Sequence, residues 1–198
     1  EVGQTKVNES LSEAIVKADD LGTAFRNWAN AGQQAEITKT FYDVSPGAWV
    51  PPLFSNGMQQ NLRLRVASVL YYDVEGALMT YVSATHYSYD IHGNVIEQLQ
   101  DVPELAPVKQ DVKSTQYAFE LISGNVKQVT FQAGEHDQFI HRYTYDAINR
   151  LTETHTSPDA STYSREAHYL YYDYGPLARI ETGKRVFGGL LALQALAY

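Results

Sequence analysis

The chain has 198 residues, enough for one large or two small domains and long enough to bury a core without staples. It contains no cysteine, which excludes disulfides, thiolate zinc sites, iron–sulfur clusters and a cysteine nucleophile, so any metal would have to sit on His and carboxylates. With 15 Lys+Arg against 23 Asp+Glu the formal charge is −8, the wrong sign for tracking phosphates, and no apolar run approaches the roughly 20 residues that span a bilayer. Nucleic acid is therefore not an expected partner, and neither is a membrane span. The chain opens at Glu1 with no initiator Met and no signal-like apolar segment, which reads as a processed chain or a fragment.

Residues 1–35 read as a helical lead-in. Ser10-Leu11-Ser12-Glu13 has the spacing of a capping box, and Leu11, Ala14, Ile15, Ala18, Leu21, Phe25, Trp28 and Ala29 recur at three- and four-residue steps. Gly22 is the weak point of this helix, and its apolar stripe is suited to covering a neighbouring sheet.

From residue 36 the composition changes to that of strands. All 15 tyrosines lie at or after Tyr42, among many Val, Thr and Ile. One pattern recurs: an aromatic, Asp, two variable residues, then Gly or Asn. Its copies are Tyr72-Asp73-Val74-Glu75-Gly76, Tyr89-Asp90-Ile91-His92-Gly93 and Tyr145-Asp146-Ala147-Ile148-Asn149, with looser starts at Tyr42-Asp43, Phe119-Glu120 and Tyr172-Asp173. An Asp at the first position of a turn accepts a hydrogen bond from the backbone two residues on, and the fourth position takes the positive φ that Gly and Asn tolerate. Asp73, Gly76, Asp90, Gly93, Asp146 and Asn149 are accordingly the expected turn residues of hairpins closed by a bulge.

The flanks alternate with period two. Phe139, His141, Tyr143 and Tyr145 share one face, against Ile140, Arg142 and Thr144 on the other, and Tyr81, Ser83, Thr85, Tyr87 and Tyr89 repeat the rhythm. One tyrosine-rich face and one mixed polar face describe a wall that meets water or another layer on both sides.

The segments Ala84 to Val95, Asp137 to Leu151 and Gly175 to Glu181 resemble the Rhs family of YD-repeat proteins, and the likeness runs from about Glu36 to Gly183. The resemblance implies a mainly β fold in which stacked antiparallel hairpins form part of a spiralling sheet shell. In bacterial members that shell commonly encloses a toxic C-terminal domain or is displayed on the cell surface. It also implies partners: the remaining shell of the same polypeptide, or another copy. Two departures limit the carry-over. The family's shell ends in a self-cleaving element with an Asp-Pro turn, and no Asp-Pro occurs here. The tail over residues 184–198 is aliphatic where an aromatic-bearing strand would be expected, and reads as divergent.

No other chemistry stands out. The six histidines include no pair at helical zinc-site spacing, and Asp101, Glu104 and Asp111 around Pro103 and Pro107 read as solvent-facing loop carboxylates rather than a glycosidase couple. Phosphate-loop, nucleophile-elbow and dinucleotide motifs are missing, so neither an enzyme nor a cofactor is expected. The candidate binding residues, for a glycan or a protein partner, are Tyr171 and Tyr172 in the tyrosine-rich strands and Trp49 in the Ser45 to Gln60 insertion. A secreted or bacterial cell-surface wall is the expected role.

Overall fold

In the computed structural model the described residues are 35–47, 50–74, 81–182 and 194–197. The expected N-terminal helix lies outside them, as do Trp49 and Gly76.

The strands are β1 (Ala35–Tyr42), β2 (Val66–Val74), β3 (Ser83–Tyr89), β4 (Val95–Asp101), β5 (Val112–Phe119), β6 (Val126–Phe131), β7 (Phe139–Tyr145), β8 (Leu151–Ser157), β9 (Ser164–Tyr171), β10 (Leu177–Thr182) and β11 (Gln194–Ala197). They form one 11-stranded antiparallel sheet whose order in space is its order in the chain. The β3–β4, β5–β6, β7–β8 and β9–β10 connections are short turns along one rim. On the opposite rim lie longer loops, one of them carrying a 3-10 segment at Pro103–Val108. The aliphatic tail does contribute a strand: Gln194 to Ala197 pair with Thr182 to Arg179. Backbone pairing with an open strand edge needs no aromatic alternation.

One buried row crosses six strands through register partners: Ser88 opposes Glu97, which opposes Gln116, and Thr130, Ile140 and Ser157 follow in turn. Most of it is polar, and its members are bonded. The Ser88 hydroxyl accepts from the Gln60 N–H at 3.0 Å, Thr130 accepts from Gln128 at 2.9 Å, and Ser157 accepts from the Ala160 N–H at 3.0 Å. Apolar burial is concentrated at Ile140 within this row and beside it at Leu70, Leu99, Ala67 and Ala84. The opposite face carries Tyr87, Tyr117, Phe131, His141 and Tyr143, all half-buried, with His141 stacked on Tyr143.

The Ser45 to Gln60 insertion is a cover. Phe54 is buried, and Ser55 donates both its N–H and its hydroxyl to the Glu97 carboxylate, at 3.0 and 2.7 Å to Oε2. Pairing of β2 with β3 stops at Ser68–His86. Beyond that rung the loop enters the split. Gln59 Nε2 donates to both Ala67 O and Tyr87 O, Asn61 Nδ2 donates to Tyr89 O, and the Tyr89 N–H donates to Gln60 O. Backbone groups that would otherwise be buried unpaired are satisfied by this wedge.

Two repeat assignments are corrected. Asp73 is not a turn residue: Val74 and Tyr72 pair with Ala35 and Ile37 of β1, so β2 runs straight through it. At Tyr172-Asp173 the register is off by one. The Tyr172 N–H donates to Pro176 O and the Gly175 N–H to Tyr172 O, so Tyr172 takes the position that Asp90 and Asp146 hold elsewhere, and Tyr171 is the repeat's aromatic.

Candidate functional site

The densest recurring geometry lies along the turn rim. Asp90 Oδ1 accepts from the N–H groups of His92, Gly93 and Asn94 at 2.7 to 2.9 Å, while Oδ2 accepts from Asn94 Nδ2 at 2.8 Å. Partial burial pushes the Asp90 carboxyl up, but the Asn94, Gly93 and His92 bonds outweigh it and hold the pKa below the ordinary value. Asp146 repeats the arrangement, accepting from Ile148 N and Arg150 N, with Arg150 Nε 2.7 Å from Oδ2. Its pKa is lowered, chiefly by the Arg150 N–H. Gly93 and Asn149 take the positive-φ corners at 100° and 65°. At Asn149 the corner decides tolerance: Asn149→Val is expected to cost about 1 to 2 kcal/mol and Ile148→Val beside it to be mild, which paired thermal melts check.

Each turn is followed by a bulge at the second residue of the outgoing strand. Register skips Ala67, Ile96, Lys127, Thr152 and Ala178. A bulge sharpens local twist and re-aims the side chain opposite it. Here that side chain is the repeat's aromatic, and it reaches back to the first residue of the preceding strand. Tyr89 donates its hydroxyl to Val66 O at 2.8 Å, Tyr145 to Val126 O at 2.9 Å and Tyr171 to Leu151 O at 2.8 Å. The residue just ahead of each acceptor touches the same later hairpin. Arg65 lies 5.5 Å from the Tyr89 ring centroid, Arg150 4.5 Å from that of Tyr171, and Asn125 donates to Asn149 Oδ1. One fastening unit, a tyrosine bonded back across a hairpin and an Arg or Asn bridging turns, therefore recurs three times.

Two rungs of this series differ. Phe119 has no hydroxyl to give, and its turn is one residue longer, closed by Gly124 N–H to Glu120 O. Tyr42 ends β1 opposite the Ala67 bulge, as its counterparts end their strands, but among the described residues no strand of the sheet precedes β1, and Tyr42 stands 58% exposed. Removing one hydroxyl from an occupied rung, as in Tyr145→Phe, is expected to cost about 1 kcal/mol, read by urea unfolding.

The candidate binding residues separate. Tyr171 is spent on the Leu151 carbonyl and covered by Arg150. Tyr172 stacks on Tyr174 at 5.1 Å and 14°, and both are exposed at the hairpin tip. Asp101, far from facing solvent, is buried and accepts from the Tyr81 hydroxyl; burial first, then Asp111, raises its pKa against that bond. Glu104 is exposed. His86 is fully buried, with Nδ1 2.8 Å from Ser68 Oγ and Nε2 without a partner. Among the described residues no group of three or more His, Asp or Glu side chains is placed to hold a metal ion, and no helix is long and apolar enough to cross a membrane.

The fastening unit was not visible in the sequence beyond the Tyr-Asp signature of two of its copies, since the bridging residue is Arg at 65 and 150 but Asn at 125 and only the register aligns them. The chain matches no protein-family model and no curated protein. Among solved structures it is similar to chains of TcdB2-TccC3-TEV (19% identity, 62% of this chain and 6% of that chain, TM-score 0.44) and TcdB2-TccC3-Cdc42 (14%, 73% and 8%, 0.42). It is also similar to one of the Photorhabdus luminescens Tc holotoxin pore (13%, 77% and 9%, 0.44). The chain thus spans less than a tenth of the length of these solved chains.

Proposed function

We propose that this chain is a structural segment of an Rhs-type YD-repeat shell, a wall that encloses or displays an effector carried elsewhere in a longer secreted or surface polypeptide, with no catalysis of its own. The observation that carries this reading is the repeated fastening unit with its unfilled rung at Tyr42. A wall built by adding identical hairpins uses the same bond at every step, and Tyr42 occupies the matching position at the end of β1, beyond which no strand lies among the described residues.

Size supports the same reading. Eleven strands at about 4.8 Å each make roughly 53 Å of sheet width, and rolled into a tube that gives a radius of about 8 Å. A typical 130-residue domain has a radius of gyration of about 14 Å, so a container needs many more hairpins. The test is electron microscopy of the longer parent polypeptide: a hollow particle with a strand paired to β1 is expected, and a solid globule with β1 at a free edge would overturn the reading.

The exposed Tyr172–Tyr174 stack favours a second reading, a glycan-binding surface, because paired aromatic rings offer the apolar face that sugars use. A glycan screen on the 198-residue chain separates the two: a wall binds nothing, whereas a module loses its signal in Tyr172→Ala.

A further inference from the structure

Glu97 forms part of the floor of a cavity of about 420 Å³ between the covering loop, β4, β5 and the β6–β7 loop. Glu97 is 3% exposed. Its bonds all come from neutral donors: Ser55 N–H and hydroxyl, Ser114 hydroxyl at 3.3 Å and Gln116 Nε2 at 3.2 Å. Among the described residues no Lys, Arg or His lies within ion-pairing distance of it. A buried carboxylate without a cation leaves its charge uncompensated.

A second carboxylate at the same cavity is ion-paired on one oxygen only. Asp137 Oδ1 is buried and accepts no hydrogen bond, approached only by His136 Nδ1 at 4.0 Å, while Oδ2 is bound to Lys113 Nζ at 2.6 Å. Leu53, Leu99 and Val112 supply apolar wall. Four carboxylates, Glu97, Asp111, Glu135 and Asp137, line the cavity against two basic side chains, Lys109 and His136, and hydrocarbon covers part of its wall; its volume falls in the range of small-ligand sites.

We propose that this cavity binds a guanidinium or ammonium group on an aliphatic stem, with the cation against Glu97 and the stem along Leu53, Leu99 and Val112. Long cationic side chains divide in this manner, hydrocarbon on apolar surface and charge on a carboxylate. The same chemistry is offered by a free small amine and by an arginine or lysine side chain of another polypeptide.

The test titrates butylguanidinium, with butylurea as its uncharged isostere, into the 198-residue chain while NMR follows the Ser55 and Ser114 amides and the Gln116 side chain. Butylguanidinium is expected to bind at least tenfold more tightly than butylurea, and Glu97→Gln to abolish the difference. Because Glu97 also anchors Ser55, Gln116→Lys is the second variant: it sets an ammonium opposite Glu97 and is expected to abolish binding while the strand circular dichroism is retained. A blocked Gly-Arg-Gly peptide binding more tightly than butylguanidinium assigns a polypeptide side chain as the source, and weaker binding assigns a free small amine. Equal affinity for butylguanidinium and butylurea, or unchanged binding in Gln116→Lys, overturns the proposal.

Discussion

Acidification from pH 7 to pH 4 is expected to cost the fold about 3 kcal/mol through His86 alone. Its imidazole is fully buried, and burial lowers its pKa from 6.5 to about 4. The folded state therefore disfavours the proton that the unfolded chain takes up. As pH falls below about 6.5 the unfolded chain is stabilised by protonation, at about 1.4 kcal/mol per pH unit, until the folded imidazole titrates near 4 and the loss levels off. Asp90 and Asp146 act in the same direction but lower on the scale. Their folded pKa values are depressed, so the stability they add is present above the unfolded carboxylate range and is lost as pH falls through their folded values. Urea unfolding at pH 7, 5.5 and 4 reads the His86 part. The paired change His86→Leu with Ser68→Ala removes donor and acceptor together and is expected to flatten the curve between pH 6.5 and 4. An unaltered slope in that variant would show that the acid sensitivity lies elsewhere.

Gly93→Val is expected to be the most damaging single change in a turn, at about 3 kcal/mol. Two causes act at once. At φ +100° a β-branched residue sits in a backbone region that costs about 1 to 3 kcal/mol. An added Cβ would also meet the Arg65 guanidinium at 2.9 Å, and that guanidinium is held by its bond to Asn61 O at 2.6 Å and by its place over the Tyr89 ring. The causes separate in a double-mutant cycle. Arg65→Ala in the Gly93→Val background relieves the contact and leaves the backbone strain, so a partial recovery of stability is expected. Full recovery would mean that φ is not limiting, and no recovery that the guanidinium contact is irrelevant.

The sheet, the period-two faces and two of the turns were legible because each rests on local chemistry. Asp90 with Gly93 and Asp146 with Asn149 carry both halves of the turn signal within five residues. Tyr72-Asp73 carries the same letters, yet β1 supplies a partner that keeps β2 extended, and a distant pairing outweighs a local preference. Tyr172 misled in the opposite way, because two adjacent tyrosines give the pattern two registers and only the backbone bonds choose between them. The buried polar row was not legible. Glu97, Ser88 and Thr130 look like solvent-facing strand residues until a loop some forty residues earlier in the chain folds over Glu97, with Ser55 donating to it across a separation of 42. The strand in the tail was not legible because its composition is mainly aliphatic without aromatic alternation, while β10 offers an edge that any extended segment can pair with.

Eleven is an odd number, and this decides how free edges can meet. Among the described residues the meander has 11 strands, so β1 and β11 run in the same direction, and with like faces kept on one side an antiparallel ladder between two copies joins β1 to β1 or β11 to β11. Head-to-tail addition of copies would demand a parallel ladder. In a wall that continues through its own polypeptide, a strand antiparallel to β1 supplies the carbonyl that the Tyr42 hydroxyl lacks. Isolated, the segment leaves strand edges that drive association.

Multi-angle light scattering on the purified 198-residue chain tests the wall account most directly. Association is predicted: a mass that rises with concentration above the 22.2 kDa of one chain. A mass that stays at 22.2 kDa across the range, with the amides of β1 and β11 protected from exchange, would contradict it and show a self-sufficient domain.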